Sequence, residues 1–149
     1  MEYNNNKNLV YRAGLIPYIV ENGQIKMLFM LPSDEMYGGN CFQLCKGKIE
    51  EGETAQQAAL REAKEEVGLF IGNVIKTEEV GVFMGRTTVF ISKIKDDSMF
   101  GEPSFETGDT KWMTLEEFLD VGRDLHKPVI KAAYRQILRT EGISDESID

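Results

Sequence analysis

Gly47-Lys48-Ile49-Glu50-Glu51-Gly52-Glu53-Thr54-Ala55-Gln56-Gln57-Ala58-Ala59-Leu60-Arg61-Glu62-Ala63-Lys64-Glu65-Glu66-Val67-Gly68-Leu69 is the stretch that decides the fold. Thr54 is a good N-cap, and Gln57 three residues on completes a capping box. Ala55 to Val67 holds strong helix formers with no Gly or Pro, which predicts a helix, and Gly68 is well placed as its C′ residue. Six glutamates (Glu50, Glu51, Glu53, Glu62, Glu65 and Glu66) fall between positions 50 and 66, opposed there only by Arg61 and Lys64. At about 100° per residue, Ala59, Ala63 and Val67 share one side with Leu60 beside them. Glu62 and Glu66 lie one turn apart next to that apolar stripe, and Glu65 follows on the same side. Arg61 is one turn before Glu65 and can pair with it.

Three carboxylates beside a surface that must be buried repel one another unless a cation sits among them. Hard oxygen ligands select magnesium, manganese or calcium over softer metals. Magnesium usually bridges carboxylates to substrate phosphates, where it polarises a phosphoryl oxygen and activates water. The bland alternative is a charged helix face in solvent, and the flanking sequence decides against it. Gly47, then Glu53, then Arg61-Glu62-Ala63, then Glu65-Glu66, then Gly68-Leu69 follow one another at the spacing of the Nudix box, which this stretch closely resembles.

The resemblance implies a set of roles. Glu62 and Glu66 would bind the principal divalent cation, magnesium with manganese as the alternative. Glu65 would be a further ligand or would hold Arg61, and Arg61 would orient the carboxylates. Glu53 would support the loop or meet the metal through water. The Gly47 carbonyl often completes such a site. A carboxylate outside the box, in the loop before a Trp-containing strand, commonly serves as ligand or general base. Glu106, six residues before Trp112, resembles it, with Glu102 and Asp109 as rivals. The front of the box departs from the common Pro-Gly-Gly. Leu44-Cys45-Lys46-Gly47-Lys48 looks more like the Pro-Lys-Gly version of dinucleoside polyphosphate and inositol pyrophosphate hydrolases, with Cys45 in place of proline. Lys46 and Lys48 would offset phosphate charge. Arg12 or Arg86 would hold a phosphate, and Tyr37, Phe42 and Phe83 are candidates for stacking on a base. Core packing is the alternative for each aromatic, and the seven methionines read as core filler.

Outward from the box the elements alternate. Tyr11 to Val20 reads as a strand, Glu21-Asn22-Gly23 as a turn, and Ile25 to Leu31 as the returning strand of a hairpin. Pro32 to Asn40 reads as a loop. Val74 to Met84 and Thr87 to Lys95 are two further strands joined at Gly85-Arg86. Asp96 to Thr110 is expected to be a polar loop and Lys111 to Met113 a short strand. Thr114 and Glu117 form a second capping box, opening a helix that ends near Val121 before Gly122. Pro128 to Leu138 reads as the last helix, and residues 1–8 and 143–149 as frayed. Strands interleaved with segregated helices argue for α/β, a mixed sheet between helices. The resemblance sharpens this to a Nudix-type α/β/α sandwich, with residues 1–149 as a single domain.

Composition narrows the function. The chain has 149 residues and a net charge of -8, with 25 acidic against 17 basic residues. Such a balance repels polymer backbones, so no long nucleic acid is expected as partner. Cys41 and Cys45 would stand roughly 13 Å apart in an extended segment, too far for a disulfide, and read as reduced thiols. The first residues lack the pattern of a signal peptide, and no apolar run reaches membrane-spanning length. A cytoplasmic protein with no membrane partner is expected, with a homodimer as the candidate assembly. The resemblance implies hydrolysis of a pyrophosphate bond in a small nucleotide substrate, a nucleoside diphosphate linked to another moiety such as ADP-ribose or a diadenosine polyphosphate. Two alternatives stand beside it. One is an RNA 5′-end pyrophosphohydrolase of the decapping type, which needs only a local basic groove. The other is a non-catalytic nucleotide sensor, which usually lacks box carboxylates that are all present here.

Overall fold

The structure is a computed structural model and describes residues 9–36 and 40–144. Its centre is a strand without a solvent face. β1 (Arg12–Glu21) is buried from Ala13 to Ile19, and a strand covered on both faces reads as an unbroken apolar run. β2 (Gln24–Pro32) returns antiparallel through the Asn22-Gly23 turn, pairing Tyr18 with Met27 and Glu21 with Gln24. β3 (Cys45–Lys48) takes the other half of β1, pairing Arg12 with Lys48 and Leu15 with Cys45. β3 therefore fills the wedge where β1 and β2 part, tied to β2 by a bridge between Met30 and Gln43.

Helix α1 (Ala55–Val67) follows, with the Thr54–Gln57 capping box formed. Gly68 ends it in the left-handed region (φ 76°), and a side chain there would strike the backbone of Gly101. A 3-10 turn at Ile71–Asn73 leads to β4 (Val74–Phe83) and β5 (Thr87–Ile94), which are antiparallel to one another. β5 runs parallel to β1. β6 (Thr107–Met113) pairs antiparallel with β2. Helix α2 (Leu115–Val121), a 3-10 turn at Asp124–His126 and helix α3 (Lys127–Glu141) complete the described chain. The sheet has six strands in the order β4-β5-β1-β2-β6, with β3 also on β1.

Two cores flank this sheet. Ala58, Ala59, Ala63 and Val67 of α1 pack on Ala13, Leu15, Leu28 and Phe90. On the other face Phe118 of α2 and Ile130, Ala133 and Ile137 of α3 pack on Ile16, Met27, Phe29 and Ile91. The Phe29 and Phe118 rings lie 4.3 Å apart. The architecture is the expected α/β/α sandwich with a mixed sheet.

Several boundaries differ from expectation. β6 begins at Thr107, inside the segment read as polar loop. Gly108 and Asp109 have weak strand preference, but an unpaired edge of β2 is available and its ladder overrides propensity. β3 carried no readable period in four residues. Ile143 packs on the core and its N–H bonds the Leu138 carbonyl, so that position is not frayed. Residues 1–8 and 145–149 lie outside the described residues. Met27, Met30 and Met113 fill the core, whereas Met36 and Met99 are exposed, against the reading of all methionines as filler. Cys41 and Cys45 are both free. No helix among the described residues is long and apolar enough to cross a membrane.

Candidate active site

The capping box fixes the start of α1 and so the phase of its glutamates. Arg61 is the hub of the loop that precedes the helix. Its Nε and Nη2 bond both oxygens of Glu53 at 2.7 and 3.0 Å. Nη2 also bonds the Lys48 carbonyl at 2.9 Å, and Nη1 bonds Glu62 Oε2 at 2.9 Å. Glu53 in turn accepts the Glu50 N–H at 2.9 Å. This bidentate pairing drives the Glu53 carboxyl down to about 2. Glu65 meets Arg61 only at 3.5 Å, with its side chain 51% exposed.

Glu62 and Glu66 point the other way, toward β3. The Glu62 carboxyl lies directly over Gly47, where any side chain would occupy the same space. Glu66 Oε1 accepts the Lys46 N–H at 3.1 Å. Burial, then the Glu62 charge, pushes the Glu66 carboxyl up to about 8. Glu62 is raised as well, mainly by burial and against the bond from Arg61. Cys45 beneath them is fully buried, and its thiol is raised by burial and by both carboxylates.

The end of α1 also fixes the loop that carries Glu106. The last carbonyls of a helix need outside donors. Ser104 N–H bonds the Glu65 carbonyl at 2.7 Å, Thr107 Oγ1 bonds that of Glu66 at 2.8 Å, and Gly101 N–H bonds that of Gly68 at 2.8 Å. Glu106 is thereby held across from Glu66, and its charge acts on it. The two line a cavity of about 570 Å³ with Lys46, Lys48, Gln43, Leu44, Met30 and Pro32. Glu102 is exposed and off this wall, and Asp109 lies in β6 opposite Leu31.

Lys46 is pushed below the usual ammonium range by burial, then by Arg12 and Arg123, with Glu66 and Glu62 acting in the opposite sense. Arg12 stands opposite Lys48 across the β1–β3 ladder. Arg86 is exposed in the β4–β5 turn, off the cavity, and its carbonyl accepts the Arg12 N–H. Phe42 and Phe83 pack against the α3-side core and do not line the cavity. Tyr37 lies outside the described residues. Sequence reasoning missed Gln43, Arg123 and the buried His126, whose Nδ1 accepts the Leu44 N–H at 3.2 Å. Their one readable signal was for Gln43, which sits just ahead of the box.

The chemistry of this wall is that of oxygen donors facing ammonium groups. Among the described residues no trio of acidic, His or Cys side chains converges into a ready metal cage. Glu62, Glu66 and the Gly47 carbonyl are nonetheless hard oxygens held within one small region, and a cation would offset the burial, and the neighbouring negative charge, that raise both carboxyls.

The NUDIX domain model matches residues 12–135, and the chain belongs to that family. A Caenorhabditis elegans relative named for the same class, nudix hydrolase 2, is 55% identical over 63 residues. That match spans 42% of this chain and 28% of the relative's length. A C. elegans Ap4A hydrolase binary complex superposes with a TM-score of 0.70 at 21% identity, covering 88% of this chain and 99% of that one. The NUDIX domain of Shewanella oneidensis NrtR, complexed with ADP ribose, gives 0.68 at 15%, covering 92% and 99%. Both structures share the fold.

Proposed function

We propose that this protein hydrolyses a pyrophosphate bond in a nucleoside diphosphate linked to another moiety, with magnesium as the working metal. One observation carries the reading. A half-buried carboxyl pushed up to about 8, Glu66, shares a cavity wall with Glu106, Lys46 and Lys48. A carboxylate kept so far from water and beside another is costly without a positive partner. The family and the hydrolase names of its relatives support the same reading.

Glu62, Glu66 and the Gly47 carbonyl would hold the cation, which supplies polarisation of a phosphoryl oxygen and an activated water. Arg61 holds Glu62 while it also grips the Lys48 carbonyl of β3, so the carboxylate keeps one orientation. Lys46 and Lys48 offset the phosphate charge as point donors. Glu106 takes the proton that the attacking water loses, a role typically contributing ~10²–10⁴-fold. It suits that task because no cation need sit on it. ADP-ribose and diadenosine polyphosphates are the leading substrates, and a cytoplasmic setting belongs to this reading.

The test is a product-identified panel with magnesium, containing ADP-ribose, diadenosine tri- and tetraphosphate, FAD, NADH, nucleoside triphosphates and 5′-triphosphate RNA. Turnover of a nucleotide at its pyrophosphate bond, abolished by excess EDTA, is the expected result. Full turnover in EDTA, or none with any small nucleotide, ends the reading.

A further inference from the structure

Resting on that reading, we propose that Arg12, Lys46, Lys48 and Arg123 form a second phosphate subsite, so that the preferred substrate carries a chain of three or more phosphates. The four come from three separate segments. Arg12 and Lys48 are direct cross-strand partners on the β1–β3 ladder, and residues so paired have Cβ atoms roughly 4.5–5.5 Å apart, a distance at which like charges destabilise a sheet. Lys46 is two residues along from Lys48 and therefore on the same face. Arg123 arrives from the turn after α2, held there by its N–H to the Phe42 carbonyl at 2.9 Å and by the bridge between Phe42 and Gly122. Both Arg12 and Arg123 are near enough to Lys46 to act on it.

This gathering runs against the rest of the molecule. The protein has 25 acidic residues and 17 basic ones. Elsewhere four of the twelve described cations are ion-paired, Arg61, Lys76, Lys93 and Lys127, and the unpaired ones are not drawn together by paired strands as Arg12, Lys46 and Lys48 are. Among the described residues none of the four clustered cations has an ion-pair partner. Glu66 and Glu62 act on Lys46, and they are the carboxylates that a catalytic cation would neutralise. Clustered cations that close no ion pair are suited to an anion delivered from outside.

The placement also fits the geometry of a polyphosphate. Alternation along β3 turns Lys46 and Lys48 to the face away from α1, whereas Gly47 faces the Glu62 carboxyl. The two phosphates of the bond that breaks would lie at the carboxylates. A third would pass Lys46 toward Arg12 and Arg123. A substrate with a single pyrophosphate reaches the first position and leaves the second empty.

Kinetics with diadenosine tetraphosphate and ADP-ribose decide this when wild type is compared with Arg123→Gln and Arg123→Lys. Loss of a charged hydrogen-bonding group should lower the ratio of kcat/KM for tetraphosphate over ADP-ribose about tenfold or more, chiefly through KM. Arg123→Lys should recover part of it, and the thermal midpoint of Arg123→Gln should be no lower than that of wild type. In parallel, calorimetry with inorganic tripolyphosphate in EDTA should show about tenfold weaker binding to Arg123→Gln, while inorganic phosphate separates the two proteins less. An unchanged kinetic ratio with equal tripolyphosphate binding overturns the subsite and leaves the hydrolase reading standing. If wild type turns over neither nucleotide, the hydrolase reading fails instead. The tripolyphosphate comparison then decides the subsite alone: weaker binding by the variant upholds it, and equal binding overturns it.

Discussion

Two sides of one helix treat the same side chain in opposite ways. Toward the loop, Glu53 is clasped by Arg61 and its carboxyl sits at about 2. Toward β3, Glu66 receives one backbone N–H and its carboxyl rises to about 8. The first is a joint, satisfied within the protein. The second is a carboxyl whose charged form the fold disfavours, and such a group in a cleft is where chemistry is to be sought.

The largest test of that contrast is Glu66→Gln. The substitution keeps shape and removes charge, so kcat should fall by the equivalent of ~2.7–4 kcal/mol, as when one electrostatic stabiliser is lost. Steady-state rates under saturating magnesium measure it, and a wild-type rate would move Glu66 to the structural side of the comparison.

Arg61→Gln should act on the other side. It leaves Glu53 and Glu62 without their shared partner and frees the Lys48 carbonyl. A loss of about 2 kcal/mol is expected, below the range for fully buried pairs because the arginine is partly exposed. The urea midpoint reads it. A midpoint equal to wild type would mean that the junction does not hold the loop.

The pH dependence of the metal-free protein separates the two carboxyls by sign. Glu66 ordinarily titrates near 4.5 and here titrates near 8. Between those values the folded state keeps a proton that the unfolded state has lost, so the Glu66 contribution falls as pH rises through that window. Glu53, with its depressed pKa, contributes stability that is present above its ordinary 4.5 and is lost as pH falls toward about 2. In EDTA, Glu66→Gln should therefore gain stability over wild type at pH 8 and show no advantage near pH 4. A parallel offset at both pH values would break the assignment.

The smallest effect should be Glu65→Gln. Its contact with Arg61 is long and its side chain is half in water. A change within about 0.5 kcal/mol is expected, the range of an exposed i,i+4 pair. A loss of kcat comparable to that of Glu66→Gln would instead make Glu65 a ligand.

Most of α1 was legible because its signals are local. Thr54, Gln57 and Gly68 set its ends, and a 3.6-residue period set its buried face. The wheel also set Glu65 one turn from Arg61, and it lies there with its side chain half in water. β1 was legible from its apolar run. β3 and the first half of β6 were not, because four residues of mixed character and a Thr-Gly-Asp segment acquire strand geometry only from the ladders they join. The basic cluster was half legible. Lys46 and Lys48 adjoin the box, and Arg12 opens a strand. Arg123 sits in a turn with no periodicity, and the contacts that Gly122 and Arg123 make with Phe42 bring it near. Glu106 was singled out by the resemblance, through its place before Trp112, and its approach to Glu66 depends on three hydrogen bonds to the end of α1 that no local pattern announces.

The overlap between Gly47 and the Glu62 carboxyl fixes a distance along the chain as well as in space. Thr54 starts the helix, so every residue after it is rotated by a set angle from that cap. One residue inserted between Ala55 and Arg61 would swing Glu62 by about 100° and carry it off the bare backbone of β3. The same residue inserted between Lys48 and Glu53, outside the helix, would leave that rotation intact and test only how much slack the loop has. Counting from the cap, and not from the glycine, is what the helix enforces. Length variation should therefore be tolerated on one side of Thr54 and refused on the other.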